Sequence, residues 1–394
     1  MRRIALSMQP LASSNLTGIG TYTKEVARRL APNLEKGGYA SVELHVFDFL
    51  KRNGGADFVR QHLDKPASDC EMKECHLMPL GLYNRLGKMG SIVPYEKLLK
   101  TDNDITLFFN FLVPMGLKGK SIITVHDMVS SRYPEMMDAR NKRLLTRCLP
   151  ASCEKAETIM VVSEFTKQEV IDCLGVPEEK IRVAYCGVNS RIYSPCRDDR
   201  ERKSVEKRVR GKWNIPGEYI LYLGTLEPRK NVGRLVEAFE MLKKDHPDLK
   251  LVIGGGLGWK YESLLEKIET SPFASDIIRT GYLSESDKID LYRIADVFVF
   301  PSVYEGFGIP ALEAMACGTP AVVSRAASLP EVVGDAGYLA DPQDASSFAE
   351  GIEIFLSKKY DKATLDTKMK AQVDKFSWDA TTLSYGQAIY DVIK

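Results

Sequence analysis

Short apolar runs closed off by Gly, Asp or Ser recur along the first half of the chain: RIALSMQ (3–9), SVELHVFDF (41–49), DITLFFN (104–110), SIITVHD (121–127), TIMVVS (158–163) and KIRVAYCGV (180–188). Each is too short for a helix and rich in β-branched and aromatic residues, the signature of a buried strand. Between several of them, YTKEVARRLAPNL and RNKRLLTRCLPASCEKA space their apolar residues three to four apart, which predicts amphipathic helices. Strands apolar on both faces, alternating with helices, belong to a parallel sheet covered on both sides. The second half repeats the scheme with YILYLG (219–224), LKLVIGGG (249–256), IIRTGYL (277–283), VFVFPS (297–302) and PAVVS (320–324). Helices are predicted from Asn231 and over 259–270, 286–295 and 309–317. The pattern predicts an α/β protein of two doubly wound, Rossmann-like domains.

A chain of 394 residues exceeds one ordinary core, since domains run to roughly 100–200 residues. The boundary is expected near residue 195, where RDDRERKSVEKRVRGKWNIPG (197–217) mixes eight bases with four acids and is nearly free of apolar residues before Trp213. That composition predicts a solvated connection with a short helix rather than a lipid-binding patch. The expected domains are therefore 1–195 and 196–376. Residues 377–394 form a final helix, with Trp378, Leu383, Ile389, Val392 and Ile393 as its apolar face, expected to cross back to the first domain.

Hydrophobic content of 44% with 27% charged residues excludes a membrane-spanning or disordered class. MRRIALSMQPLASSN has too short an apolar stretch for a secretory signal, so a cytoplasmic location is expected. The eight cysteines show no Cys-x-x-Cys spacing and the five histidines are dispersed, which predicts reduced thiols and no metal centre. Residues 1–196 carry 27 Lys and Arg against 22 Asp and Glu, and the remainder 27 against 31, giving +5 and −4. That asymmetry is too mild for a nucleic-acid protein but compatible with a weakly basic face near anionic lipid.

Ligands of doubly wound sheets bind outside the carboxyl ends of the strands, so chemistry is sought in the loops that follow them. After the first strand, TGIGTYT places Gly18 and Gly20 at a helix start, where backbone can approach an anion. The dinucleotide fingerprint is incomplete, because position 23 is Thr, and a structural turn accounts for the glycines equally well. LGTLEPRKN sets Arg229 and Lys230 ahead of the next helix, a pair suited to a diphosphate; solvated loop charges are the plainer reading. TVHDMVSSRYPE puts His126 and Asp127 at a strand end, either structural or aimed at a polar substrate. SVYEGFGIPALEAMACG combines Glu305, a turn with Gly306 and Gly308, Pro310 in a first helical turn, and Glu313. Two carboxylates with the amides of Phe307 to Ala311 suit a polyhydroxylated ligand. Alternatively Glu305 is solvated and Glu313 neutralises a nearby cation.

Taken in order, TGIGTYT, VHDMVSSRYPE, VVSEFTKQEV, YLGTLEPRKNV, GYLSESDKIDLYRIADVFVFPSVYEGFGIPALEAMACGTPAVVS, LPEVVGDAGYLADP and FSWDAT resemble the GT-B-fold retaining glycosyltransferases of family four over essentially the whole chain. The resemblance implies a GT-B fold, two Rossmann-like domains facing across a cleft, with the acceptor on the first and a nucleotide sugar on the second. It implies that Gly18 lends an amide to the donor diphosphate, that Arg229 and Lys230 neutralise it, and that His126 meets the donor sugar. Glu305 would bind the sugar, Glu313 the ribose, the backbone at Gly281, Tyr282 and Leu283 the base, and Phe307, Gly308 and Ile309 the donor. Many relatives carry a second glycine where this chain has Thr17, a departure that touches only the shape of that loop.

Two cations and helix N-termini can replace a metal ion on the leaving diphosphate, so metal-independent transfer is expected. The resemblance implies retention, by front-face attack, with Glu305 orienting sugar hydroxyls rather than acting as a covalent nucleophile. The subgroup resembled points to mannose from GDP-mannose, with UDP- and dTDP-sugars as alternatives. A glycan or lipid-linked oligosaccharide of surface-polysaccharide synthesis, at the inner face of the membrane, is the expected acceptor. Leu82, Leu86, Met89, Ile92 and Val93 could form a membrane-facing patch there, although a helix packed on the core is the simpler reading. A nicotinamide or flavin oxidoreductase, suggested by GGGLG at 254–258, lacks the three-glycine fingerprint with its acidic partner. A nucleotide-sugar-binding protein without catalysis is disfavoured by the intact Arg229, Lys230, Glu305 and Glu313. Oligomeric state is not legible.

Overall fold

The structure is a computed structural model that describes residues 2–36, 38, 40–51, 54–86 and 93–394. It divides into two compact units: Met1–Pro134 with Ala139–Cys186 and Trp378–Lys394, and Glu135–Asp138 with Gly187–Ser377.

The first unit is built on a parallel sheet of β1 (Arg2–Ser7), β2 (Ala40–Phe47), β3 (Glu71–Cys75), β4 (Ile105–Phe108), β5 (Lys120–Val125), β6 (Thr158–Val161) and β7 (Ile181–Val183). Their order is β3-β2-β1-β4-β5-β6-β7, so the winding reverses between β1 and β4. The second unit holds β8 (Tyr219–Leu223), β9 (Lys250–Gly254), β10 (Ile277–Gly281), β11 (Val297–Phe300), β12 (Ala321–Ser324) and β13 (Tyr338–Ala340). Here the order is β10-β9-β8-β11-β12-β13, with the reversal between β8 and β11. At such a switch point the loops leave in opposite directions and open a crevice at the carboxyl ends. The loop after β8 carries Arg229 and Lys230, and the loop after β11 carries Glu305.

Two strands were not legible in the hydrophobic pattern. β3 reads EMKEC and lies at one edge of its sheet, where only Cys75 is fully buried. β13 is three residues long at the edge of the other sheet. An edge strand needs one covered face at most, so it escapes the demand for a continuous apolar run.

The connection differs from expectation. Asp199–Trp213 is one long helix, capped by Asp198 accepting from the Glu201 amide at 2.8 Å. Val205 and Val209, four apart, are its buried face, and Arg208 and Lys212 pair with Asp290 and Asp287 of the Glu285–Ile294 helix. The boundary falls after Cys186 rather than near 195. Residues after it are already bound to the second unit, through Val188 N–H to the Phe376 carbonyl at 3.3 Å and Arg293 to the Ser194 carbonyl at 2.8 Å.

The terminal helix, Trp378–Ile393, belongs to the first unit and pairs through Asp379 with Arg29 and through Asp391 with Arg182. Trp378 and Ile389 are buried as expected, but Leu383 is 73% exposed; Tyr385 and Ala388 take the inner face instead. The Leu80–Leu86 helix packs on the core through Tyr83 and the partly buried Leu80, but Leu82, Leu86 and Val93 stay exposed rather than joining that face. Met89 and Ile92 lie outside the described residues. All eight cysteines are free. No helix among the described residues is long and apolar enough to cross a membrane.

Candidate active site

In the second unit, β8 ends in a loop whose Pro228–Lys230 turn is closed by Asn231 in the left-handed conformation, φ 55°. Asn tolerates that conformation better than most residues, and its side-chain amide donates to the carbonyls of Pro301 at 3.1 Å and Pro342 at 2.9 Å. The Val303 N–H donates to the Arg229 carbonyl at 2.9 Å. The turn is thus fastened to the end of β11, which fixes where its two cations point.

Both point at Glu305. Lys230 Nζ lies 2.6 Å from Glu305 Oε1, and Arg229 Nη1 lies 2.8 Å from Glu305 Oε2. Arg229 also donates to the Tyr304 carbonyl at 3.1 Å and sets its Nε 2.5 Å from Glu227. Lys230 is buried, with its ammonium 5.0 Å from the Phe300 ring centroid. One guanidinium and one ammonium therefore face two carboxylates in a nearly closed cluster. Burial alone would raise the Glu305 carboxyl, but Arg229 and Lys230 outweigh it and hold it down to about 2. Burial, with the Arg229 charge beside it, pushes the Lys230 ammonium below its ordinary range. Burial pushes the Glu227 carboxyl up.

The segment after Glu305 is held from below. Ser328 is fully buried, and its Oγ lies 2.9 Å from the Glu305 carbonyl and 2.8 Å from that of Phe307. Gly308 has φ 111°, and a Cβ there would come within 2.6 Å of Leu329 Cδ2, so only glycine fits. The Ile309–Ala316 helix starts there, with Pro310 in its first turn, and buries Phe307 against Phe376 beside it. Glu313 on that helix faces a different set of partners: Lys288 Nζ at 3.2 Å from each oxygen and the Tyr292 hydroxyl at 3.0 Å. Gly281 closes β10 with φ 70°, Tyr282 beside it is 64% exposed, and Leu283 is buried.

In the first unit, Gly18 opens the Gly18–Lys36 helix, and a Cβ there would meet nothing within 4 Å. At Gly20 a Cβ would stand 3.1 Å from both the Leu16 side chain and the Pro10 carbonyl. Gly20 is thus closely packed, whereas a side chain at Gly18 would meet open space. His126 follows β5, with Nε2 2.8 Å from the Phe109 carbonyl. A carbonyl only accepts, so Nε2 carries the hydrogen and Nδ1 keeps a lone pair. The Tyr22 and Phe111 rings meet the imidazole edge-on at 5.0 and 5.7 Å, and burial lowers its pKa, so it is neutral at pH 7. Asp127 accepts from the Val129 N–H at 3.1 Å, an orienting contact within the loop.

The model of the glycosyl transferases group 1 family matches residues 205–374, and that of glycosyltransferase family 4 matches residues 16–192. O-antigen chain mannosyltransferase B of Escherichia coli is 32% identical over 377 residues, spanning 93% of this chain and 94% of that protein. The chain belongs to glycosyltransferase family 4. A serotype-specific mannosyltransferase of Escherichia coli is 30% identical over 66% of this chain, which matches 32% of that longer protein. Among solved structures, sucrose-phosphate synthase of Thermosynechococcus elongatus matches at a TM-score of 0.72, with 20% identity, over 100% of this chain and 99% of that one. Anabaena HepE in complex with UDP and glucose matches at a TM-score of 0.72, with 17% identity, over 99% of this chain and 100% of that one. These likenesses give this glycosyltransferase the GT-B fold.

Sequence reasoning missed Glu227, Asn231 and Ser328, which touch the Arg229–Lys230–Glu305 cluster or the backbone that carries it. Glu227 and Asn231 flank the Pro-Arg-Lys turn and were within reach of a closer reading of that motif. Ser328 carried no signal, because its partners are 21 and 23 residues away. Ser328→Ala removes the one hydroxyl proton that the Glu305 and Phe307 carbonyls share in a buried position, which costs about 1–3 kcal/mol. The expected result is a lowered melting temperature together with a raised KM for the donor and a smaller change in kcat. Unchanged stability and KM would remove Ser328 from this account.

Proposed function

We propose that this glycosyltransferase moves mannose from GDP-mannose to a glycan or lipid-linked oligosaccharide in surface-polysaccharide synthesis, with retention and without a metal ion. The observation that carries this reading is the pair of cations, Arg229 and Lys230, held on Glu305 at the switch point of the second sheet. The similarity to O-antigen chain mannosyltransferase B supports the choice of sugar and pathway class.

Cleavage of the bond between the anomeric carbon and the diphosphate leaves an oxocarbenium-like sugar and throws negative charge onto the leaving group. Arg229 and Lys230 meet that charge from fixed positions in a poorly solvated site, where such interactions are strongest. Glu305 is paired and ionised, which suits it to accept from sugar hydroxyls and makes it a poor nucleophile. The acceptor proton then passes to the departing phosphate oxygen on the same face. In the first unit, neutral His126 offers Nδ1 to a sugar hydroxyl, and Gly18 offers its backbone to phosphate, at a position where a side chain would meet open space. Glu313 takes the ribose hydroxyls, and the backbone at Gly281, Tyr282 and Leu283 meets the base. The enzyme works in the cytoplasm at the inner face of the membrane.

A melting panel run in EDTA tests the donor and the metal together. Ligand at about 100 times its Kd stabilises the folded state by about 2.7 kcal/mol, so GDP and GDP-mannose are expected to raise the melting temperature clearly above UDP- or dTDP-sugars. A shift by UDP-glucose alone would replace the donor, and turnover abolished by EDTA and restored by magnesium would refute metal independence. An inverted anomeric proton in the product, read by NMR, would refute retention.

A further inference from the structure

The TGIGTYT motif contributes more than its glycines. Tyr22 stands one turn after Gly18 on the Gly18–Lys36 helix and is buried, with its ring 5.0 Å from that of His126 and at 88° to it. Phe111 stands 5.7 Å from the same imidazole at 70°. The bond from Nε2 to the Phe109 carbonyl fixes one corner of the imidazole, and the two aromatic contacts hem its plane. A half-turn about Cβ–Cγ would exchange Nε2 with Cε1 and Nδ1 with Cδ2, losing that bond and carrying Nδ1 away from its place.

Tyr22 is held in turn. Its hydroxyl donates to the Ala184 carbonyl at 3.2 Å and stands 3.2 Å from the hydroxyl of Tyr385 on the terminal helix, which lies 2.5 Å from Thr124 Oγ1 on β5. Trp378, at the start of that helix, sets its ring 5.6 Å from Tyr22 at 75°. Tyr385 also packs on Phe109, whose carbonyl accepts from His126, with ring centroids 5.6 Å apart. The terminal helix therefore reaches His126 by two routes, the Tyr22 ring and the Phe109 backbone. Phenylalanine at 22 and 385 would meet the demands of packing alone. A buried hydroxyl is costly unless bonded, and a fully bonded network fixes rings that apolar contact would leave free to shift.

We propose that Tyr22, anchored by Tyr385, is a positioning residue for His126: it keeps the imidazole in the tautomer and rotation that present Nδ1 to a sugar hydroxyl. The inference deepens the proposed function and rests on it for the sugar. The state of the ring itself is read with no substrate present.

Protein isotopically labelled on the ring nitrogens of its five histidines gives NMR spectra at pH 7 that distinguish the two neutral tautomers, and the His126 signals are those lost in His126→Ala. The wild type is expected to show His126 as the Nε2–H form alone. Tyr22→Leu, which removes the ring, is expected to show both tautomers or exchange-broadened nitrogens. Tyr385→Phe deletes only the anchoring hydroxyl and is expected to broaden the same nitrogens to a smaller degree; it decides the matter if melting curves show that Tyr22→Leu does not fold. Transfer from GDP-mannose should fall about tenfold in kcat for Tyr22→Leu, the worth of one edge-on aromatic contact, with little change in KM. Tyr22→Phe keeps the ring and should recover most of that, leaving about a threefold loss for its hydroxyl. In a His126→Ala background Tyr22→Leu should cost less than about twofold more, because it acts through a residue already removed. Wild-type His126 spectra in the folded variants, or equal kcat losses from Tyr22→Leu with and without His126, would overturn the proposal. Wild-type turnover in His126→Ala would instead remove His126 from the proposed function, and the spectra would still decide whether Tyr22 holds its ring.

Discussion

Alanine at Arg229 or Lys230 is expected to lower turnover about 10²–10³-fold at saturating donor, the loss seen when one preorganised charge-stabilising group is removed from a transition state. The size follows from where the charges sit. Lys230 is buried against Phe300 and Glu305, and Arg229 bridges Glu227 and Glu305, so neither can be replaced by a water-screened neighbour. Arg229→Lys should recover little, because an ammonium cannot span two carboxylates as a planar guanidinium does. Lys230→Met separates charge from packing by keeping the stem over Phe300 while deleting the ammonium. Melting temperature is measured alongside kcat for each variant. Full activity in the double alanine variant would dismiss the cluster as the site of catalysis.

The second large effect is expected at Glu305. Glu305→Gln leaves two cations without their shared partner in a buried site, a change that typically costs about 3–5 kcal/mol. It should lower turnover as well, since an amide accepts less strongly than a carboxylate from sugar hydroxyls. The pH dependence follows in sign from the carboxyl being held at about 2 in the folded protein against an ordinary 4.5. A carboxyl with a depressed folded pKa binds fewer protons folded than unfolded. Its stabilisation is therefore complete above the ordinary value and is lost as pH falls through 4.5 toward 2. The stability gap between wild type and Glu305→Gln should accordingly be widest near neutrality and narrow in acid denaturation series. A gap that stays constant to low pH would show that Glu305 is not held ionised by its neighbours. Mass-spectrometric detection of a mannosyl ester on Glu305 would overturn its orienting role.

Burial on both faces is what made most of the fold readable. The central strands of both sheets had to be apolar throughout, so β1, β2, β4, β5, β6, β8, β9, β11 and β12 announced themselves as short runs between turn residues. The Asp199–Trp213 helix was underestimated because only Val205 and Val209 are buried along it, too sparse a stripe to set a period. Leu383 was misplaced because a terminal helix with apolar residues on several sides can be rotated either way by its neighbours. Tyr385, hydrogen-bonded to Thr124 and Tyr22, decided the rotation.

By itself the sequence determined the two doubly wound halves, the glycine at position 308 and the placement of Arg229, Lys230, Glu305 and Glu313 in or just after loops that follow strands. Those are local consequences of periodicity, backbone conformation and strand ends. Only the tertiary structure decided that β8 lies beside β11, and with that adjacency the cations at 229 and 230 close on a carboxylate 75 or 76 residues further along. It also separated the two glutamates, giving Glu305 to the cations and Glu313 to Lys288 and Tyr292. Strand order is set by how whole layers bury one another, and no stretch of sequence carries that choice.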